Sequence, residues 1–337
     1  MRTYTFVDYA TQAYIIVVGL LIVCFHNETV PSWPVLLSAN VAWLVLVHVI
    51  IQAHARYPTV RFLKFLRHFY PGFLYTGFYV ETGLLNRMFF RDYLDPTIIQ
   101  WEQHVWGCQP SVLFMEKLPW LPLSEVFYAL YFSYYVIILG VGVALFVRSR
   151  RQFFHYVSLV SFVFYVCYLI YIILPVAGTP AFFHDAGGYA LPAASQRMAV
   201  TDSYPEAIRT GVFFKLMHWL YDVFEPPGAA FPSSHVAIAL CTLYFSFRYL
   251  RPIRYIHLAV AILLCVSTVY CRYHYVMDVL AGAITAAVLV PIGNWLYFKY
   301  EKRAPRESSS RPQAGARRFE ECSRGTGLDV EGSPNHR

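Results

Sequence analysis

Charge is scarce in this chain. Only 14% of its 337 residues are Asp, Glu, Lys or Arg, against 57% hydrophobic, and the mean hydropathy is +0.44. Soluble domains carry roughly 25% charged residues, so an ordinary soluble domain is excluded. Also missing is any Cys-x-x-Cys pair. The seven cysteines are scattered, which argues against a zinc site or a disulfide framework. Cys167, Cys241 and Cys265 lie inside apolar runs and read as small hydrophobes. No internal repeat of two similar halves is visible, which counts against a repeat-built transporter. No small-residue cleavage site follows the first apolar run, which reads as a retained span rather than a signal peptide. Finally, no Lys or Arg occurs between Arg151 and Arg197.

What is present is a set of long apolar runs. A helix needs ~20 apolar residues to cross a ~30 Å hydrocarbon core. Candidate spans are 10–25, 33–53, 125–147, 153–175, 234–250, 255–271 and 276–298, with a weaker one at 69–86 that Glu81 interrupts. The fold expected is therefore all-α, a polytopic transmembrane bundle of about six to eight spans. The 27 tyrosines and 27 phenylalanines suit aromatic membrane borders. The net charge of +7 is no nucleic-acid signal, because much of it sits in short turns and in the C-terminal tail. Arg56, Arg61, Lys64 and Arg67 follow the second span, and Arg148, Arg150 and Arg151 join two others. Arg248, Arg251 and Arg254 form a further turn, and Lys299, Lys302 and Arg303 follow the last span. The positive-inside rule makes all of these cytoplasmic. If 69–86 crosses, both termini are cytoplasmic; if it is re-entrant, the N-terminus moves outside.

Three parts are expected: spans and an interfacial segment in 1–123, a catalytic membrane portion in 124–300, and a disordered cytoplasmic tail in 301–337, where Ser, Arg, Gly and Pro abound. Segment 91–123 mixes Trp101, Trp106 and Trp120 with charges and prolines and reads as lying on the membrane surface. Segment 176–231 is the longest polar stretch between spans, a lid with a helix near 205–222. Asn27-Glu28-Thr29 is a glycosylation sequon of the kind that recurs by chance. The Tyr- and Phe-rich spans 125–147 and 153–175 fit plain packing or lipid-facing surface better than a lipid cleft.

Two short segments carry the chemistry. His274 and Asp278 are one helical turn apart. A carboxylate there accepts from one ring nitrogen and frees the other as nucleophile or base. Arg272 adds a planar donor fork suited to phosphate. The bland alternative is a His–Asp pair that merely caps a helix. Earlier in the chain, Pro232-Ser233-Ser234-His235 opens a span. Ser233 or Ser234 is its N-cap, and backbone N–H groups there form an anion site. Between the two histidines lie one apolar run, a basic turn and a second run. If each run crosses once, both histidines end on the same, non-cytoplasmic face.

This pattern resembles the type 2 phosphatidic acid phosphatase superfamily, in which a Pro-Ser-Gly-His segment precedes one ending in His-x-x-x-Asp. The resemblance covers roughly 125–298. It implies His274 as nucleophile, Asp278 as its orienter and His235 as acid toward the leaving group. The chain departs from the common pattern in two places. The Lys-x6-Arg-Pro motif is missing, and its place reads Tyr171-Ile-Ile-Leu-Pro175-Val-Ala-Gly178-Thr-Pro180. The usual Arg six positions before the nucleophile is Thr268. These departures look more like the inositol phosphorylceramide synthase branch, which moves phosphoinositol from phosphatidylinositol to ceramide. Phosphate-binding candidates are Arg272, Tyr171, Lys215, Ser233 and Ser234. The implied partners are a phospholipid donor and a lipid acceptor in the membrane, with no nucleic acid, cofactor or metal. Rival expectations are a hydrolase acting on a lipid phosphate or polyprenyl pyrophosphate, a transporter or channel, and an inactive lipid-binding relative.

Overall fold

Thr5 and Asp8 begin the first helix by reciprocal capping: the Asp8 carboxylate accepts the Thr5 N–H at 2.6 Å. The computed structural model describes residues 4–179, 182, 204–224 and 228–302; the expected tail beyond 302 and nearly half of the expected lid lie outside them. Helices α1 (Phe6–Phe25), α2 (Trp33–Arg56) and α3 (Arg61–Leu85) come first, then α4 (Asp95–Trp106) and α5 (Pro110–Lys117). Next are α6 (Leu121–Arg148), α7 (Arg150–Ile173) and α8 (Val212–Phe224), the last preceded by a single turn at Glu206–Arg209. The final three are α9 (Ser234–Tyr249), α10 (Arg254–Tyr270) and α11 (Val276–Lys302). Proline stands at the start of α2, α4, α5 and α6, where its missing N–H costs nothing. Gly107, at φ 66°, ends α4 in the left-handed conformation. The described residues contain no strand, only a bridge between Val176 and Ala229.

The chain is a multi-pass helical bundle. Five helices, α1, α2, α6, α7 and α11, are long and apolar enough to cross a membrane. The expected spans at 234–250 and 255–271 become α9 and α10, with 16 and 17 residues, so each rises about 25 Å. The weak span at 69–86 is the second half of the longer α3, whose first turns carry Arg61, Lys64 and Arg67. Its buried Glu81 accepts a hydrogen bond from Asn40 of α2. The helix expected at 205–222 is broken at Gly211, where the carboxylate of Glu125 takes the N–H groups of Val212, Phe213 and Phe214 at 2.9, 3.0 and 3.1 Å. A new helix therefore starts at Val212.

Helix α7 is the central element, packed by α1, α3, α6 and α9. The aromatic content does much of this packing: Tyr14 of α1 stacks on Tyr165 of α7 with ring centroids 4.9 Å apart. Helix α11 approaches α9 and α7 through two glycines. A Cβ on Gly282 would lie 2.5 Å from the Ser233 carbonyl oxygen, and one on Gly293 would lie 3.0 Å from the Phe162 ring. Among the arginine turns named above, those at 56–67, 148–151 and 248–254 fall at the ends of α2, α6 and α9. His155 ties that region together, contacting Tyr249 at 3.0 Å and Asn294 at 2.8 Å. The motif segments lie at the opposite ends of α9, α10 and α11. Trp101, Trp106 and Trp120 stay exposed around α4 and α5.

Candidate active site

The first motif is built as a helix start. The Ser233 side chain caps α9 by accepting the Val236 N–H at 3.4 Å, which makes Ser233 the N-cap and puts His235 in the first turn. The second motif is built as a helix stop. Helix α10 ends at Tyr270, and Arg272 adopts φ 61°, a left-handed conformation rare outside glycine. That reversal turns the chain so that Tyr273 and His274 both donate backbone N–H groups to the Thr268 carbonyl, at 3.0 and 3.1 Å. Helix α11 then starts at Val276 and carries Asp278 in its first turn.

The two motifs are joined by backbone as well as by side chains. The Ser233 N–H donates to the Asp278 carbonyl at 3.0 Å. Nδ1 of His274 is 3.2 Å from Oδ2 of Asp278, which also accepts the Tyr275 N–H at 2.9 Å. Nε2 of His274 is 3.3 Å from Nδ1 of His235, and Nε2 of His235 is 3.2 Å from the Tyr131 hydroxyl. All four side chains are buried. One set of protonation states satisfies the row: an ionised Asp278 accepts from His274 Nδ1–H, His274 Nε2 accepts from His235 Nδ1–H, and His235 Nε2 accepts from Tyr131. The Nε2 lone pair of His274 is held by His235 in this arrangement, and it becomes a nucleophile when His235 turns its proton toward a substrate oxygen.

The remaining sequence candidates divide. Tyr171 reaches the head of α9: its hydroxyl donates to the Pro232 carbonyl at 2.9 Å and accepts the Ser234 N–H at 3.1 Å. Ser233 and Ser234 are buried at the head of α9. Arg272 is also buried, but its guanidinium faces α5. Nη2 donates to the Val112 carbonyl at 2.9 Å and stands 4.0 Å from a Glu116 oxygen, with the Tyr204 ring 5.9 Å away. Burial pulls Arg272 down from its ordinary value, opposed by Tyr204 and Glu116. Lys215 is exposed on α8 and lines neither cavity beside the histidines.

Two cavities meet at His235. The smaller, about 10 Å³, touches both histidines, Tyr131, Tyr221, Tyr273 and Ala177, and is close to the size of one water. The larger, about 350 Å³, is walled by residues of α3, α6, α7 and α8 and reaches Ser234 and His235. Neither is lined by a Lys or Arg among the described residues.

Sequence reading missed several contributors. Tyr131 and Tyr134 flank the His235 ring, with centroids 4.9 and 4.5 Å away. In a span crowded with tyrosine they carry no distinguishing signal. Asp95, at the start of α4, accepts the N–H groups of Ala177 and Gly178 at 2.7 and 3.0 Å and the Tyr275 hydroxyl at 3.0 Å. Glu102, two turns along the same face of α4, caps α11 by accepting the Val276 N–H at 2.5 Å. Burial raises both carboxyls to about 7. The bonds they accept oppose that shift, and the charge of Asp278 adds to it. Asp95 in an Asp-Pro pair looks like an ordinary helix start, and only the fold reveals what lies beneath it.

A family model described as PAP2 superfamily matches residues 97–292, more than half of the chain. A stretch of 86 residues, 26% of this chain, is 29% identical to an uncharacterized protein of Methanocaldococcus jannaschii. The match covers 35% of that protein, so the chain spans about a third of the length of the curated relative it matches. No solved structure matches.

Proposed function

The chain belongs to the PAP2 superfamily, whose members are phosphatases and phosphotransferases, and on that premise we propose that it is an integral-membrane lipid phosphotransferase working through a phosphohistidine. The observation that carries this reading is the row Asp278–His274–His235 at the head of an apolar cavity. His274 Nε2 attacks the phosphorus of a phospholipid phosphodiester while Asp278 holds the Nδ1 proton. The bond from phosphorus to the glycerol oxygen breaks, and His235, charged to the imidazolium when the donor binds, gives that oxygen one proton and returns to the neutral form. An acceptor alcohol then loses its proton to His235 and attacks the phosphorus, and the P–N bond breaks to restore His274. Dividing one displacement into two is what covalent catalysis supplies. Arg272, Tyr171, Lys215, Ser233 and Ser234 remain the proposed phosphate-binding set. In this set Arg272 acts as a fixed positive charge beside the nucleophile segment, and the head of α9 contributes its N-terminal dipole.

The donor we favour is phosphatidylinositol, with a lipid alcohol such as ceramide as acceptor. Support comes from the sequence, in which no Lys or Arg occurs between Arg151 and Arg197. A monoester dianion needs more neutralising charge than a phosphodiester monoanion, and neither cavity has a Lys or Arg among its described lining residues. In this proposal residues 124–300 carry the chemistry, 1–123 supply spans and the interfacial segment, and the site faces the non-cytoplasmic side with the C-terminus cytoplasmic. A second reading hands the phosphohistidine to water, an acceptor that suits a cavity of about 10 Å³. Purified protein in mixed micelles, given phosphatidylinositol labelled in the headgroup with and without ceramide or diacylglycerol, decides between them. Label entering a new lipid only when acceptor is added, and never with His274→Ala, supports transfer. Release as water-soluble phosphate supports the hydrolase. Turnover that survives His274→Ala overturns both.

A further inference from the structure

The larger cavity has a wall that the family match does not reach. Residues 97–292 are matched, yet Gly72, Tyr75, Thr76 and Tyr79 of α3 line this cavity. Opposite them stand residues of α6, among them Leu139, which is 69% exposed on the outer surface of the bundle. Gly72 and Thr76 are exposed too. The mouth therefore opens at the middle of α3 and α6, where a membrane presents hydrocarbon. The inner end is polar: Tyr79 and His235 line both cavities. From Gly72 to Tyr79 is about two turns of helix, a rise of about 10 Å. The cavity thus connects the hydrocarbon depth of the bilayer with the proposed acid, and its walls are aromatic and apolar along that path.

We infer that α3 forms the chain-selecting wall of the donor site, and that the larger cavity takes one acyl chain of the phospholipid donor. This rests on the reading of His235 as the acid that protonates the departing glycerol oxygen. That oxygen belongs to the fragment carrying the acyl chains, so a chain leaving from His235 is continuous with this cavity. Tyr79 stands where chain gives way to headgroup. Chain preference is therefore set by a helix outside the family-matched segment.

The test is photolabelling of the purified full chain in mixed micelles. One arm uses phosphatidylinositol bearing a diazirine midway along one acyl chain, and the other uses ceramide bearing it in the same place. Adducts are mapped by mass spectrometry in the wild type, Thr76→Trp, Gly72→Leu and His274→Ala. A Cβ on Gly72 meets nothing within 4 Å, so Gly72→Leu is a second plug should Thr76→Trp misfold. The inference expects donor adducts on 72–79 and 134–139, reduced at least fivefold by either plug and retained in His274→Ala. Either plug also shifts the ratio of kcat/KM for long-chain over short-chain donor by about tenfold or more. Donor adducts confined to outward-facing residues, adducts insensitive to both plugs, or labelling of α3 by ceramide alone would each overturn it. If His274→Ala still turns over, the catalytic reading fails, while the labelling pattern decides the chain site separately.

Discussion

The Tyr131 hydroxyl lies 3.2 Å from Nε2 of His235, and the Tyr131 ring stacks on Tyr273 with centroids 4.7 Å apart and planes 10° from parallel. One residue thus fixes the tautomer of the proposed acid and braces the segment carrying the proposed nucleophile. Tyr131→Phe separates these roles, because it keeps the ring and removes the bond. A hydrogen bond of this kind is worth about 1 kcal/mol. The expected result is a fall in kcat of about fivefold to tenfold, with a displaced limb in the pH profile of kcat and an unchanged melting temperature. An unchanged kcat and an unchanged pH profile would make Tyr131 a packing residue only.

Removing either histidine should remove turnover. His274→Ala takes away the attacking nitrogen and His235→Ala the proton donor, and positioned acid–base groups contribute about 10²–10⁴-fold. Asp278→Asn should be milder in stability yet comparable in kcat. Its amide oxygen still accepts the Tyr275 N–H, but it no longer holds the His274 proton as a carboxylate does. Activity is expected to resist chelators, since the proposed route runs through His274 and His235 and passes no step through a metal ion. Loss of activity with chelator and its return with Mg²⁺ would contradict the proposed mechanism.

The helical bundle was legible in the sequence because membrane spans announce themselves by length and apolarity. The pairing of His235 with His274 was legible because two spans and a turn return the chain to one face. The pocket was not. Asp95 acts on Ala177 and Gly178 across a long separation in sequence, Tyr131 is one tyrosine among many, and the cavity wall on α3 depends on how helices pack. The surroundings of Arg272 were not legible either. It stands two residues before His274, and the left-handed backbone at that residue directs the guanidinium toward Val112 and Glu116.

Asp95 and Glu102 should make stability depend on pH in an unusual direction. Both carboxyls are raised to about 7 in the folded chain, above the value of about 4 expected when unfolded. Between about pH 4 and 7 the native state holds protons that the unfolded state releases. Their contribution is therefore fully present below about pH 4 and is lost as pH rises through about 7. Melting temperature in micelles should fall from pH 5 to pH 8. Asp95→Asn, facing Tyr275 and the charge of Asp278, should flatten that fall. A melting temperature that rises over the same interval would show that these carboxyls titrate elsewhere.

Gly282 should tolerate no side chain. An added Cβ would stand 2.5 Å from the Ser233 carbonyl oxygen and 3.1 Å from Cβ of Val236. The contact lies where α11 meets the head of α9, so relief of the clash spreads Asp278 and His274 from His235. Overpacking of this sort costs about 1–3 kcal/mol. Gly282→Ala is expected to lower the melting temperature and to reduce kcat together. Gly140→Ala on α6, where a Cβ meets nothing within 4 Å, serves as the control. It should gain about 0.5–1 kcal/mol from helix propensity alone.

Helix α8 hangs from a single carboxylate. Glu125 accepts the first three N–H groups of α8, and a side chain on Gly211 would collide with it, since an added Cβ would stand 2.2 Å from Glu125 Oε1. Beyond that anchor α8 supplies Tyr221 to the smaller cavity and Leu220 and Phe224 to the larger. Tyr221 also packs its ring against Tyr273, with centroids 4.9 Å apart. A capping interaction of this kind is worth about 1–2 kcal/mol, enough to loosen one helix and too little to unfold the bundle. Glu125→Ala and Gly211→Ala should therefore behave alike. Both should speed hydrogen exchange across 212–224 and raise KM for the lipid donor severalfold, with little change in global melting. Exchange that stays slow in both variants would mean that α8 is held by its apolar face and that Glu125 is dispensable.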